Sequence, residues 1–243
     1  MELKNKIAVV TGASGGIGSA IAKHLDEKGC KVALAARDIG AMEALQKELK
    51  NPSLVVEMDV SRNESVAQGF DKILKEYNSV DILVNVAGVM PLTYLKNLHL
   101  EEWLNTMEVN VKGILRTIHG ALPSMKENKK GHIVNIASVD GKELYKGGAV
   151  YGASKAAIIA LSRAMRMELS PEFNIKVTSI EPGTVDTDLR QDITDKELLE
   201  DKDYGGDEPK LDADAIARAV VYAVSEADEV NVNEILIKPT GKS

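Results

Sequence analysis

The chain has 243 residues, 44% of them apolar and 28% charged, which is enough apolar material for one sizeable buried core. No run of about 18 apolar residues occurs, and the opening Met1-Glu2-Leu3-Lys4-Asn5-Lys6 lacks a signal-peptide core, so no membrane partner and a cytoplasmic location are expected. The formal charge is −7, with no basic block to suggest a nucleic-acid partner, and the four histidines at 24, 99, 119 and 132 show no metal-ligand spacing.

The first apolar strand is expected near 6–11, and it ends in the glycine-rich run Thr11-Gly12-Ala13-Ser14-Gly15-Gly16-Ile17-Gly18, after which helical spacing covers 17–28. Cys30 follows in a turn; it is alone, so it forms no internal disulfide, and it reads as a small buried hydrophobe or a redox thiol. A strand near 31–36 closes on Ala36-Arg37-Asp38, and a helix follows over 39–50. A third strand near 54–58 meets Asp59-Val60, followed by a helix over 63–77. The strand near 81–85 runs into Asn85-Val86-Ala87-Gly88, and the helix over 100–126 is expected to break or bend around Asn110. A strand near 132–137 delivers Ser138, the helix over 150–170 carries Tyr151 and Lys155, and the strand near 175–180 leads to Pro182-Gly183 and Thr187. A helix over 212–226 and a strand near 234–238 finish the chain. This alternation, with continuous apolar strands, predicts an α/β fold: a doubly wound, seven-stranded parallel sheet, Rossmann-like, in a single domain spanning 1–243. Ligands then bind at the carboxyl ends of the strands, where Thr11, Asn85 and Ser138 converge.

Two of these segments carry chemistry. A strand, a glycine turn and a helix start form a dinucleotide phosphate site, because glycines admit the pyrophosphate to the backbone and the helix N-terminus welcomes its charge. The spacing is Gly-x-x-x-Gly-x-Gly, and no Lys-Ser/Thr follows to make a triphosphate loop. Tyr151 and Lys155 stand at i and i+4 on one helix face, so an ammonium beside the phenol is expected to lower its pKa by roughly 1–3 units.

Taken together, Thr11-Gly12-x-x-x-Gly16-x-Gly18, Asp59-Val60, Asn85-x-Ala87-Gly88, the ordered set Asn110, Ser138, Tyr151, Lys155, and Pro182-Gly183 with Thr187 resemble the short-chain dehydrogenase/reductase family, over almost the whole chain. The resemblance implies reversible hydride transfer between a nicotinamide cofactor and a carbonyl or alcohol carbon. It makes Ser138 the hydrogen-bond donor to the substrate oxygen and Tyr151 its acid. Lys155 tunes Tyr151 and holds the ribose, while Asn110 anchors a water that links Lys155 to solvent. Cofactor contacts are expected from Gly12, Ser14, Gly16, Ile17, Gly18, Arg37, Asp59, Val60, Asn85, Ala87, Gly88, Tyr151, Lys155, Pro182, Gly183 and Thr187. Val86 departs from the family pattern, which usually has a second Asn there, and a packing change is expected from it.

Cofactor choice turns on the end of the second strand. An NAD site places a carboxylate there to bind the ribose hydroxyls; this chain has Ala36, followed by Arg37, which can pair with a 2′-phosphate, and Ser14 adds a hydroxyl. NADP(H) is therefore expected over NAD(H), with Asp38 as counter-evidence unless its carboxylate turns outward. The segment 186–214 is expected to be a substrate lid, and it holds twelve acidic residues against Arg190, Lys196, Lys202 and Lys210. It reads as a solvated loop or as a repeller of anionic partners. The second reading disfavours an acidic acyl carrier protein, so a 3-oxoacyl-(acyl carrier protein) reductase is the alternative to an enzyme of small ketones or 3-hydroxy acids such as serine. A non-catalytic NADP-binding sensor is the alternative of another class. A homotetramer is expected, because Ala156-Ala157-Ile158-Ile159-Ala160-Leu161 is more apolar than one buried helix face needs.

Overall fold

The computed structural model describes residues 2–187, 189, 193–201 and 209–241. In chain order the elements are β1 (Ile7–Thr11), α1 (Gly16–Glu27), β2 (Lys31–Ala36), α2 (Ile39–Gln46), β3 (Ser53–Glu57), α3 (Asn63–Tyr77), β4 (Ile82–Asn85) and α4 (Leu100–Met107). They continue with α5 (Gly113–Glu127), β5 (Gly131–Ile136), α6 (Ala149–Phe173), β6 (Ile175–Pro182), α7 (Lys196–Glu200), α8 (Ala213–Ser225) and β7 (Glu234–Ile237). The seven strands are parallel and run in the order β3-β2-β1-β4-β5-β6-β7.

Apolar residues fill successive strand positions because the sheet is covered on both faces. Along β1, Ala8 and Val10 face a core with Ile21, Leu25, Leu34, Ile216 and Val220, while Val9 faces the opposite core with Leu83, Ile118, Ile133 and Ile158. The first core packs α1 against α8, and the second lies under α3, α5 and α6. Truncating a side chain such as Leu83 or Ile133, both fully buried, to alanine would cost about 2–5 kcal/mol. Cys30 joins the first core, and burial pushes its thiol up to about 12, so it is a packed hydrophobe rather than a reactive thiolate. The strand order reverses between β1 and β4, and this is where a crevice opens at the carboxyl ends.

The expected bend at Asn110 is a π-helical turn, Glu108–Lys112, inserted between α4 and α5. The sequence reading missed α7, whose N-cap Asp195 accepts from the Glu197 and Leu198 amides. A five-residue helix within an acidic segment carries no periodicity long enough to see.

Candidate active site

The glycine run forms a close-packed turn between β1 and α1. A Cβ at Gly12 would lie 2.9 Å from the Ala87 amide, and one at Gly18 would lie 2.1 Å from the Gly12 carbonyl oxygen, so neither position has room for a side chain. Gly12 and Gly16 also hold φ of 65° and 52°, which favour glycine. Thr11 ties this turn to the end of β4, its hydroxyl accepting from the Val86 and Ala87 amides at 3.0 and 3.2 Å. Helix α1 starts with no side-chain cap and no acidic residue in its first turn. Its positive end therefore faces an open glycine cradle, an arrangement that fits a pyrophosphate. Ser14 is exposed at the turn, and Ile17 lines the adjoining cleft.

Arg37 is exposed at the end of β2. The Asp38 carboxylate is occupied: it N-caps α2, accepting from the Ala41 amide at 3.0 Å. Burial opposes ionisation of Asp59, but bonds from Ser61 and the nearby Arg37 and Arg62 guanidiniums hold its carboxyl below the usual range. Val60 is buried and packs on Gly113, where a Cβ would come within 2.9 Å of it.

A cleft of about 410 Å³ joins the next set of residues, among them Val86, Gly88, Ser138, Tyr151, Lys155, Pro182, Gly183 and Thr187. The ends of β4, β5, β6 and β7 and the helix α6 meet here. A Cβ on Gly16 would lie 3.2 Å from Thr187 Cγ2, which places the segment after β6 against the glycine turn. Ser138 N-caps a short 3-10 turn, Val139–Gly141, accepting from the Asp140 amide at 3.1 Å; this fixes its rotamer at the cleft wall. Lys155 donates to the Ile136 carbonyl at 2.9 Å, and its Nζ sits 5.6 Å from the centre of the Tyr151 ring.

The electrostatics correct one expectation. Burial, followed by the charge of Asp140, raises the Tyr151 phenol above its ordinary value, and Ser138 only partly opposes this. Burial likewise pulls the Lys155 ammonium down to about 8, against the charge of Asp140. Both groups lose water when α6 packs onto the sheet, and that loss is the largest cause of each shift.

The side chains of two expected site residues are held by hydrogen bonds within the fold. Asn85 is buried, donating to Asn135 at 2.9 Å and accepting from Thr117 at 2.6 Å, while Asn135 donates to Ser162 at 2.9 Å. It holds β4, β5, α5 and α6 together and does not line the cleft. The Asn110 side chain accepts from the Val89 amide at 2.8 Å and donates to the Val89 carbonyl at 3.0 Å and to Ser154 at 3.1 Å. These bonds join the loop after β4 to α6.

Other cleft residues escaped the sequence reading: Asp140, Glu143, Tyr145 and Lys238 also line the wall. Tyr145 donates to Asp140 at 3.2 Å, and burial raises the Asp140 carboxyl. Asp140 and Glu143 stood in the run after Ser138 and Lys238 at the end of β7, but no motif spacing marked them. Over Tyr151, Ile193 and Leu198 pack with Leu92. Their segment is pinned by buried Asp195, which accepts from the Tyr94 amide at 2.9 Å and from Asn97 at 3.0 Å. Within the expected lid, Arg190 and Lys202 lie outside the described residues. Among the described residues no cluster of metal-ligating side chains occurs, and no helix is long and apolar enough to cross a membrane.

Comparison with known proteins meets the same geometry. The short chain dehydrogenase family model matches residues 6–198. An uncharacterized oxidoreductase of Staphylococcus epidermidis is 39% identical over 98% of this chain and 99% of its own length, and one of Listeria monocytogenes is 38% identical over 100% and 99%. Among solved structures, an alcohol dehydrogenase from the archaeon Thermococcus sibiricus, complexed with 5-hydroxy-NADP, superposes with a TM-score of 0.86 at 31% identity, covering 99% of both chains. A closed form of serine dehydrogenase complexed with NADP+ gives 0.90 at 29% identity over 98% of this chain and 96% of that one.

Proposed function

Because the chain belongs to the short chain dehydrogenase family and is thereby an alcohol/carbonyl oxidoreductase, we propose that it uses NADP(H) to interconvert a small ketone or aldehyde with its alcohol, hydroxy acids such as serine included. The observation that carries this reading is the meeting of Ser138, Tyr151 and Lys155 in one cleft beside Pro182, Gly183 and Thr187. Gly12, Ser14, Gly16, Ile17 and Gly18 would cradle the pyrophosphate, Arg37 with Ser14 the 2′-phosphate, Asp59 and Val60 the adenine end, and Ala87, Gly88, Lys155, Pro182, Gly183 and Thr187 the nicotinamide end. When bound, the nicotinamide supplies or accepts the hydride.

The protein's own part is to hold the oxygen and move the proton. The Ser138 hydroxyl, rotamer-locked by the Asp140 amide, donates to the substrate oxygen as negative charge grows there. Tyr151 holds its phenolic proton at neutral pH, which suits an acid that protonates this oxygen during reduction. Lys155, anchored on the Ile136 carbonyl, would hold the ribose and supplies positive charge beside the phenol. The segment 186–214 acts as the lid, its described part excluding water over Tyr151 through Ile193 and Leu198.

NADP(H) is favoured because Asp38 is committed to capping α2 and leaves Arg37 to face a phosphate. The acidic 186–214 segment argues against an acyl carrier protein as partner, and the assembled Ser138, Tyr151 and Lys155 argue against a mere sensor. A homotetramer is part of the same proposal, with a changed basis: Ile158 and Ile159 are buried within their own subunit, whereas Leu100, Leu104 and Leu115 on α4 and α5 stand exposed. Initial rates with NADPH, NADP+ and the NAD(H) pair on a panel of ketones, diketones and hydroxy acids test the reading. Turnover with none of them would sink it.

A further inference from the structure

The substrate end of the cleft contains an ion pair that the hydride chemistry does not use. Lys238, just past β7, donates to both carboxylate oxygens of Glu143, at 2.6 and 2.8 Å, across 95 positions of sequence. Both residues line the same cavity as Ser138, Tyr151 and Lys155. The two partners differ in exposure: the Lys238 side chain is 24% exposed and the Glu143 side chain 56%. A carboxylate is thus already seated on an ammonium at the cleft wall, and the carboxylate is the partner with an easy way out.

We propose that Lys238 is the anchor for a substrate carboxylate, which takes the place of Glu143 on binding, so that the substrates are hydroxy acids and their oxo-acid counterparts. The inference rests on the oxidoreductase reading above and narrows its substrate class. Three features of the wall support it. The neighbouring Lys142 is already held, 2.7 Å from the buried Glu181 and 2.9 Å from Glu234, so it is fixed in the framework while Lys238 pairs at the cavity edge. Pro239 packs on Gly183, where a Cβ would lie 3.2 Å from Pro239 Cδ, which sets the backbone beside Lys238 against the proposed nicotinamide-side turn. The charges of the lining also balance, with Asp140 and Glu143 against Lys155 and Lys238. A substrate carboxylate that displaces Glu143 into water preserves this balance, whereas an uncharged substrate gains nothing from Lys238. The acidic lid does not forbid it: its exposed carboxylates are largely screened beyond about 8 Å at physiological salt, and a small anion brings one charge where a carrier protein brings many.

The test compares 3-hydroxybutanoate with its methyl ester as substrates of the full chain, as the ratio of their kcat/KM values with NADP+. Wild type is expected to favour the acid. Lys238→Met should lower the ratio about 10- to 150-fold, the worth of a charge-assisted hydrogen bond, and Lys238→Arg should restore most of it. Glu143→Gln removes the internal competitor and should raise the ratio about two- to fivefold, the worth of a partly exposed ion pair. A ratio within twofold of wild type in Lys238→Met, or a ratio lowered by Glu143→Gln, would overturn the anchor while leaving the oxidoreductase reading intact. Failure of wild type to oxidise either member of the pair would overturn the small-substrate reading and the anchor with it.

Discussion

The two halves of the cleft are built from different materials. The proposed nucleotide half is mostly backbone: a glycine turn packed on Ala87 and the bare start of α1, with the Ser14 and Arg37 side chains exposed beside them. The substrate half is mostly side chains, brought from β5, α6, the end of β6, the lid and the chain after β7. Backbone sites tolerate little change in shape but need no tuning of charge. Side-chain sites depend on buried titratable groups, and here burial is the largest cause of the shifts of Tyr151, Lys155 and Asp140.

Three perturbations separate the halves, and a fourth lies outside both. The largest effect is expected from Tyr151→Phe, which removes the acid of the substrate half and should lower kcat by about 10²–10⁴-fold. Binding of NADPH, followed by its fluorescence, should change little, and a comparable loss of binding would merge the two halves into one unit. Arg37→Ala is the reciprocal change in the nucleotide half. It should weaken NADPH by about 10- to 150-fold and NADH much less, by calorimetry; equal losses would remove Arg37 as a selector.

A smaller effect tests the claim that the nucleotide half is a matter of shape. Gly18→Ala puts a Cβ 2.1 Å from a backbone oxygen and should cost about 1–3 kcal/mol in a urea melt. Gly15→Ala meets nothing within 4 Å in an extended conformation and should stay within about 0.5 kcal/mol. Similar costs for both would mean that the turn is not close-packed.

The last perturbation lies outside both halves, near the amino end of β5. Burial, helped by Lys176, pushes the His132 imidazole from 6.5 down to about 3, and its Nε2 lies 2.7 Å from Thr178 Oγ1. The unfolded chain takes up this proton below pH 6.5 and the fold refuses it, so the stabilising preference is complete above 6.5 and is lost as pH falls toward 3. The slope is about 1.4 kcal/mol per pH unit at most. His132→Gln should flatten the fall in urea midpoint between pH 7 and pH 5. An unchanged slope would place the acid sensitivity in the cleft groups instead.

The order of strands and helices was legible along the chain, because parallel strands covered on both faces must be apolar throughout and helices must repeat at 3.6 residues. The glycine turn was legible for a related reason, since close backbone approach leaves glycine as the only residue that fits. Both signals are local. Tertiary packing alone decided the rest. It turned Asn85 away from the cleft, spent the amide of Asn110 on Val89 and Ser154, and directed Asp38 onto its own helix. It also brought Lys238 to Glu143. Desolvation, which reversed the expected shift of Tyr151, depends on everything packed around a group, and i,i+4 spacing on one helix contains no measure of that.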